Sequence, residues 1–311
     1  MLASLTCALS ACEKDEILPE PEPPVVTPGD DPGKDEEEKI QLGITASLQA
    51  MQQTRGIIEA FLPGHEMGVF ISAAGAESPY VHNVPYAFDG KKWNAGGDAP
   101  VEGDAEVAAY LPYNGQTAGD RLIPFELADQ HDILYGRATV TRDIPTADIE
   151  MKHAMSLVRI KILKNEYMGE GIVSNIRFDN VITRMTLDIR RETNSPLIFD
   201  FSSRGSLQAG GNYHLNDADP VVVETILPPV YGYDQKATVR FTIEGKEYSY
   251  EFHRDHEWEA GMKYTYTLKM TGNYNSPVNM EQVDIDVEYW SRYGKTDQII
   301  LNPNPEDYEF T

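Results

Sequence analysis

Short stretches of the chain alternate apolar and polar residues with a period of two. Tyr264, Tyr266, Leu268 and Met270 alternate with Lys263, Thr265, Thr267 and Lys269. Val283, Ile285, Val287 and Tyr289 alternate with Asp284, Asp286 and Glu288, and Val158, Ile160 and Ile162 with Arg159 and Lys161. Such spacing turns one face of a strand to a core and the other to water. Val239, Phe241 and Ile243 run into Glu244-Gly245, and Tyr248, Tyr250 and Phe252 come back, which predicts a β-hairpin. Helical periodicity is scarce, and Gly, Pro and Asn break the strands at short intervals. The pattern predicts an all-β protein built of antiparallel β-sandwiches. They start at Ile40, with a boundary near residue 150, so that 40–150 forms an N-terminal sandwich and 151–311 a C-terminal sandwich with a tail.

The segment before Ile40 has another texture. Residues 13–39 hold six prolines, eleven acids and three lysines, with few large apolar side chains. Such a segment buries too little surface to offset its ordering entropy, and its prolines keep it extended. It reads as a disordered, acidic, Pro-rich stalk. Ahead of it, residues 1–12 form a short apolar leader ending in Leu9-Ser10-Ala11-Cys12. Leu, two small residues and Cys form the pattern of a bacterial lipoprotein signal, cut before a Cys that then carries lipid. Lys14, Asp15 and Glu16 follow Cys12 and resemble the surface-export signal of Bacteroides-type lipoproteins. The two readings together predict an outer-membrane, cell-surface protein tethered through Cys12.

Charge and composition then remove several classes. The chain carries 50 acids against 26 bases, a net charge of −24, which argues against nucleic acid as a partner. Its only cysteines, Cys7 and Cys12, lie in the leader, so the body has no thiol chemistry or Cys-based zinc site. No run reaches the ~18 apolar residues of a spanning helix. Asp284, Asp286 and Glu288 could offer oxygen ligands to calcium, but alternate acids on a solvated sheet face suit this net charge. His253 and His256 flank Arg254-Asp255 and read as a solvated loop. Tyr231 and Tyr233, beside Pro228-Pro229, could stack on sugars, although mutual contact is the simpler reading. No phosphate-binding loop, zinc-protease His-Glu pair or Gly-x-Ser-x-Gly elbow is present. No catalytic residue, metal site or cofactor is expected, and the protein is read as a non-enzyme.

Several landmarks fall in one order. Thr54-Arg55-Gly56 is followed by Gly64-His65-Glu66-Met67-Gly68-Val69-Phe70, Asn83-Val84-Pro85-Tyr86 and Asp89-Gly90-Lys91-Lys92-Trp93. Ala109-Tyr110-Leu111-Pro112-Tyr113, Asp132-Ile133-Leu134-Tyr135-Gly136 and Lys152-His153-Ala154-Met155-Ser156 come next. Ile226-Leu227-Pro228-Pro229, the stretch from Trp258 to Tyr266, Ile285 and Trp290 complete the series. From about residue 40 to residue 290 this order resembles the fimbrillin-like family of Bacteroidales, the subunits and tip components of type V pili. Read from the residues alone, His153 is a satisfied structural histidine and Trp258 a cap on the core.

The resemblance implies two tandem transthyretin-like sandwiches, a lipoprotein precursor, and assembly with other pilus subunits by strand addition. In that mechanism a protease cuts after a basic residue, the first strand leaves, and a strand of another subunit fills the groove. Here Ile40, Leu42, Ile44, Ala46 and Leu48 alternate as a removable first strand, and Arg55, the first arginine of the chain, follows as the processing site. Gln298–Leu301 and Tyr308–Phe310 are candidate donor pieces, interrupted by Pro303 and Pro305. The surface ligand is unknown. The alternative reading is a monomeric surface lipoprotein that binds glycan for a nutrient-uptake system. A surface glycoside hydrolase is a third, for which no carboxylate pair stands out.

Overall fold

The period-two stretches form strands because each can bury one face while its backbone pairs sideways. The computed structural model describes residues 39–48, 58, 60–117, 121–165, 167–168, 171–191, 196–231, 236–253, 256–271, 279–289 and 299–300. From 271 onward the description is of backbone alone. The chain divides into two units, Met1–Glu38 and Lys39–Thr311, and every described residue belongs to the second. The described residues contain twenty strands and two 3₁₀ turns. The all-β expectation holds.

A seven-stranded sheet comes from the first half. Its order is β1 (Gly43–Leu48), β8 (Thr146–His153), β7 (Leu134–Val140), β5 (Ala105–Leu111), β2 (Glu66–Ala73), β3 (Val81–Phe88) and β4 (Trp93–Ala95). The two ends of the sheet curl together, because Leu42 N–H donates to the Ala99 carbonyl at 2.9 Å and Val101 N–H to that of Ile40 at 2.8 Å. One apolar cluster, including Met67, Val69, Ile71, Tyr86, Trp93, Ile149 and Met151, fills its interior. β2 is buried on both faces: Met67, Val69 and Ile71 enter that cluster, while Phe70 enters a second one. This explains why its sequence is continuously apolar rather than alternating.

The second half builds two facing five-stranded sheets around the second cluster. One runs β15 (Val221–Leu227), β9 (Ser156–Leu163), β18 (Met262–Thr271), β19 (Asn279–Tyr289), β20 (Ile299–Ile300). The other runs β13 (Arg204–Gln208), β10 (Ile172–Ile182), β16 (Thr238–Ile243), β17 (Lys246–Glu251), with β14 (Tyr213–His214) on β10. The expected hairpin is β16–β17, turning through Glu244 and Gly245 at φ 50° and 79°. Trp258 lies within the core: it donates from Nε1 to the Tyr266 hydroxyl at 2.8 Å and meets the Phe252 ring edge-on at 5.1 Å.

A three-stranded sheet joins the halves: β6 (Leu122–Glu126) pairs with β11 (Arg184–Asp188), which pairs with β12 (Leu197–Phe199). Phe70, Tyr110, Ile123, Phe125, Leu127 and Ile133 accordingly belong to the same cluster as the core of the second half. Two pairings depart from the antiparallel expectation, β1 with β8 and β9 with β18, both parallel. Their partners are joined by long connections, so no hairpin dictates their sense.

Gly68 is required by close approach. A Cβ there would lie 2.2 Å from the Tyr110 ring and 2.4 Å from Asn83 Oδ1. Those groups form a buried network in which Tyr110 donates to Asn83 Oδ1 at 2.9 Å, and Asn83 Nδ2 donates to the carbonyls of Asn114 and Thr117 at 2.9 and 3.1 Å. Three of the ordered sequence landmarks thus meet at one point. Gly68→Ala is expected to destabilise the protein by about 1–3 kcal/mol through overpacking, read as a lower urea midpoint at unchanged m; an unaltered midpoint would refute this account of Gly68.

Candidate strand-exchange site

β8 alternates strictly, turning Ala147, Ile149 and Met151 into the first cluster and Asp148, Glu150 and Lys152 to solvent. Its edge residues 146–151 pair with β1 in the register Gly43↔Thr146 to Leu48↔Met151. Among the described residues no strand pairs with the outer edge of β1. The inward side of β1 and its lead-in is the expected one. Leu42 is 4% exposed and Ile44 6%. Ala46 and Leu48 pack half-buried against the same cluster, and Ile40 is half-buried.

Polar contacts set the register. Gly43 N–H donates to the Pro145 carbonyl at 2.8 Å, and Thr45 Oγ1 donates to Asp148 Oδ1 at 3.1 Å. The buried Tyr86 hydroxyl donates to the Leu42 carbonyl at 3.1 Å. Burial pushes its pKa up to about 12, so it stays a neutral donor.

Arg55 and the rest of 49–57 lie outside the described residues, as do Cys12, Lys14, Asp15 and Glu16. The far side of that segment is fastened. Ile58 N–H donates to Asp132 Oδ2 at 2.9 Å, and His153 Nδ1 lies 2.8 Å from Asp132 Oδ1. Both side chains are buried. Ile58 and Phe61 pack on the first cluster, Phe61 edge-on to Trp93 at 5.0 Å. The bond from Nδ1 to Asp132 holds the His153 ring in place. Sequence reasoning missed the role of Asp132, although the residue stood in one of the ordered landmarks; its partners are 74 and 21 residues away.

The other candidates gather little. His253 and His256 approach ring to ring at 5.5 Å, and the described residues hold no group of three His, Cys, Asp or Glu able to take a metal. The side chains of Asp284, Asp286 and Glu288 on β19 fall outside the described ones, as does Tyr233, while Tyr231 is exposed. Of the donor pieces, Ile299 and Ile300 form β20 on β19, and the remainder is outside the described residues. Among the described residues no helix is long and apolar enough to cross a membrane.

A family model described as fimbrillin-like matches residues 54–290. The chain belongs to the fimbrillin-like family. The matched span opens after β1 and contains Arg55, Asp132 and His153. Among solved structures, a candidate cell adhesion protein from Bacteroides uniformis is similar at 15% identity and a TM-score of 0.58, over 81% of this chain and 99% of that one. Another from Bacteroides ovatus is similar at 16% identity and a TM-score of 0.58, over 82% and 99%. At such identities the likeness speaks to the fold. No curated protein matches by sequence.

Asp132→Ala would remove the acceptor for both Ile58 N–H and His153. The expected cost is about 2–4 kcal/mol, with faster hydrogen exchange at the Ile58 amide; Asp132→Asn, which keeps an acceptor, should lose less. Exchange at Ile58 unchanged in Asp132→Ala would show that the carboxylate does not hold this segment.

Proposed function

We propose that this fimbrillin-like chain is a structural and adhesive surface protein that assembles with other pilus subunits after its first strand is cut free. The observation that carries the reading is the asymmetry about the 49–57 segment. Before it, β1 is an edge strand in a parallel pairing, the slightly weaker kind, and covers Ala147, Ile149 and Met151 of β8. After it, Ile58 is tied to a buried carboxylate. A cut at Arg55 would sever β1 from the body and leave the new N-terminus anchored close to the vacated groove.

The energetics favour exchange once the chain is cut. Burial of Leu42 and Ile44 contributes about 3–6 kcal/mol, by itself a dissociation constant between roughly 50 μM and 5 mM. While the chain is continuous, an effective concentration on the order of millimolar adds to the main-chain bonds of the β1–β8 pairing in keeping β1 seated. Cleavage removes that advantage, and a longer donor strand making more main-chain bonds displaces it. The C-terminal tail is the proposed donor. Each half has a buried cluster, the second of which extends into the first half along the β6–β11 ladder; two transthyretin-like sandwiches, 40–150 and 151–311, are part of the same proposal. So are the processed leader, lipid on Cys12, the export signal Lys14-Asp15-Glu16 and the acidic stalk, which together would hold the uncut precursor on the outer surface.

The test separates cutting from strand departure. An Arg-specific protease should convert the purified precursor into polymers visible by electron microscopy, and Arg55→Ala should remain monomeric. A Thr45→Cys, Asp148→Cys pair, oxidised to lock β1 onto β8, should be cut yet stay monomeric until reduced. Polymers forming equally well from the locked protein would overturn strand exchange, and an uncut 49–57 segment would overturn Arg55 as the trigger.

A further inference from the structure

The outer face of the seven-stranded sheet, opposite the core that β1 enters, carries an open recess of about 640 Å³. Arg121, just before β6, Arg137 of β7 and Arg190, just after β11, line it, together with His82 of β3, Glu106 of β5 and the Gly75–Pro79 loop that carries Glu77. Two of the guanidiniums are fixed by their own bonds. Arg137 Nη2 donates to the Ile189 carbonyl, and Arg190 donates from Nε and Nη2 to the buried Asp188 carboxylate at 2.9 and 3.2 Å. Arg121 is drawn onto the same wall by a main-chain bond from Ile189 N–H to its carbonyl at 3.2 Å. Three arginines converge on one recess in a chain of net charge −24, and one of them, Arg190, is already ion-paired with Asp188.

We infer that this recess binds an acidic saccharide, its carboxylate or sulfate held by Arg121, Arg137 and Arg190 and its hydroxyls by Glu77 and Glu106. Guanidinium forks match planar carboxylate and sulfate oxygens. Burial, followed by the nearby Arg190 and Arg137 guanidiniums, lowers the proton affinity of Arg121, while Asp188 and Glu106 oppose the shift. Glu77 and Glu106 in the lining disfavour a bare, multiply charged anion but accept hydrogen bonds from sugar hydroxyls. The acidic surface likewise repels polyanions such as nucleic acid. The volume falls within the ordinary range for small-molecule sites, about 300–1,000 Å³, enough for one or two sugar rings. The site lies within the matched family span but needs neither cleavage nor strand exchange, so it is testable on the uncut chain whatever the outcome for assembly.

The experiment is titration calorimetry of the uncut, folded protein with 3′-sialyllactose, 3′-sulfolactose and lactose. At least one acidic probe should bind, more weakly as salt is raised, and lactose should not. Arg121→Gln should weaken binding about tenfold or more, and Arg137→Lys, which keeps the charge but loses the fork, several-fold. Circular dichroism checks that each variant folds. Binding of the carboxylate probe alone would narrow the ligand to sialic or uronic acids, and of the sulfated probe alone to sulfated sugars. Absence of binding to both acidic probes at about 10 mM, equal binding of lactose, or affinity unchanged in both folded variants would overturn the proposal.

Discussion

The structure depends on covering the edge of β8. Residues 146–151 of that strand present backbone donors and acceptors along one side and Ala147, Ile149 and Met151 beneath. A bare edge of this kind invites pairing with any available strand. In the intact chain β1 meets the need from within the same molecule, and its lead-in residues also close the curled sheet through Leu42 and Val101. One short segment therefore completes both a ladder and a core, and it is the segment that would leave under the proposed exchange.

The surroundings of β1 are held by contacts of their own. The proposed exchange would require the groove to keep its shape without β1, and several contacts that hold its other walls do not involve β1. β7 approaches β8 so closely that a Cβ on Gly136 would lie 2.5 Å from Ile149 Cγ2. Asp132 binds His153 at the end of β8 and Ile58 at the start of the following segment. β2, buried on both faces, ties the first cluster to the second through Phe70. The contacts that hold these walls thus rest on residues other than those of β1.

Local patterning made much of this legible. The β16–β17 hairpin, β9 and β18 follow from period-two alternation and a Gly turn, and the inward face of β1 follows from the same alternation. The ordered landmarks marked the fimbrillin-like family, and several prove to be contact points: Gly68, Tyr110 and Asn83 in one buried network, Asp132 and His153 in another. The three-arginine recess was not legible, because Arg121, Arg137 and Arg190 are spread over 70 residues and become neighbours through the β6–β11 ladder.

The sequence by itself determined the class of fold, the faces of the strands and the residues that must lie inside, since these depend on alternation within a few residues and on the free energy of burying apolar side chains. Tertiary structure alone decided which strand lies beside which. It set β1 parallel to β8, continued the second core into the first half, and brought Asp132 to Ile58 across 74 residues. The physical reason is that a strand's hydrogen-bonding edge is the same for every sequence; its partner is chosen by the shape and burial of the whole molecule.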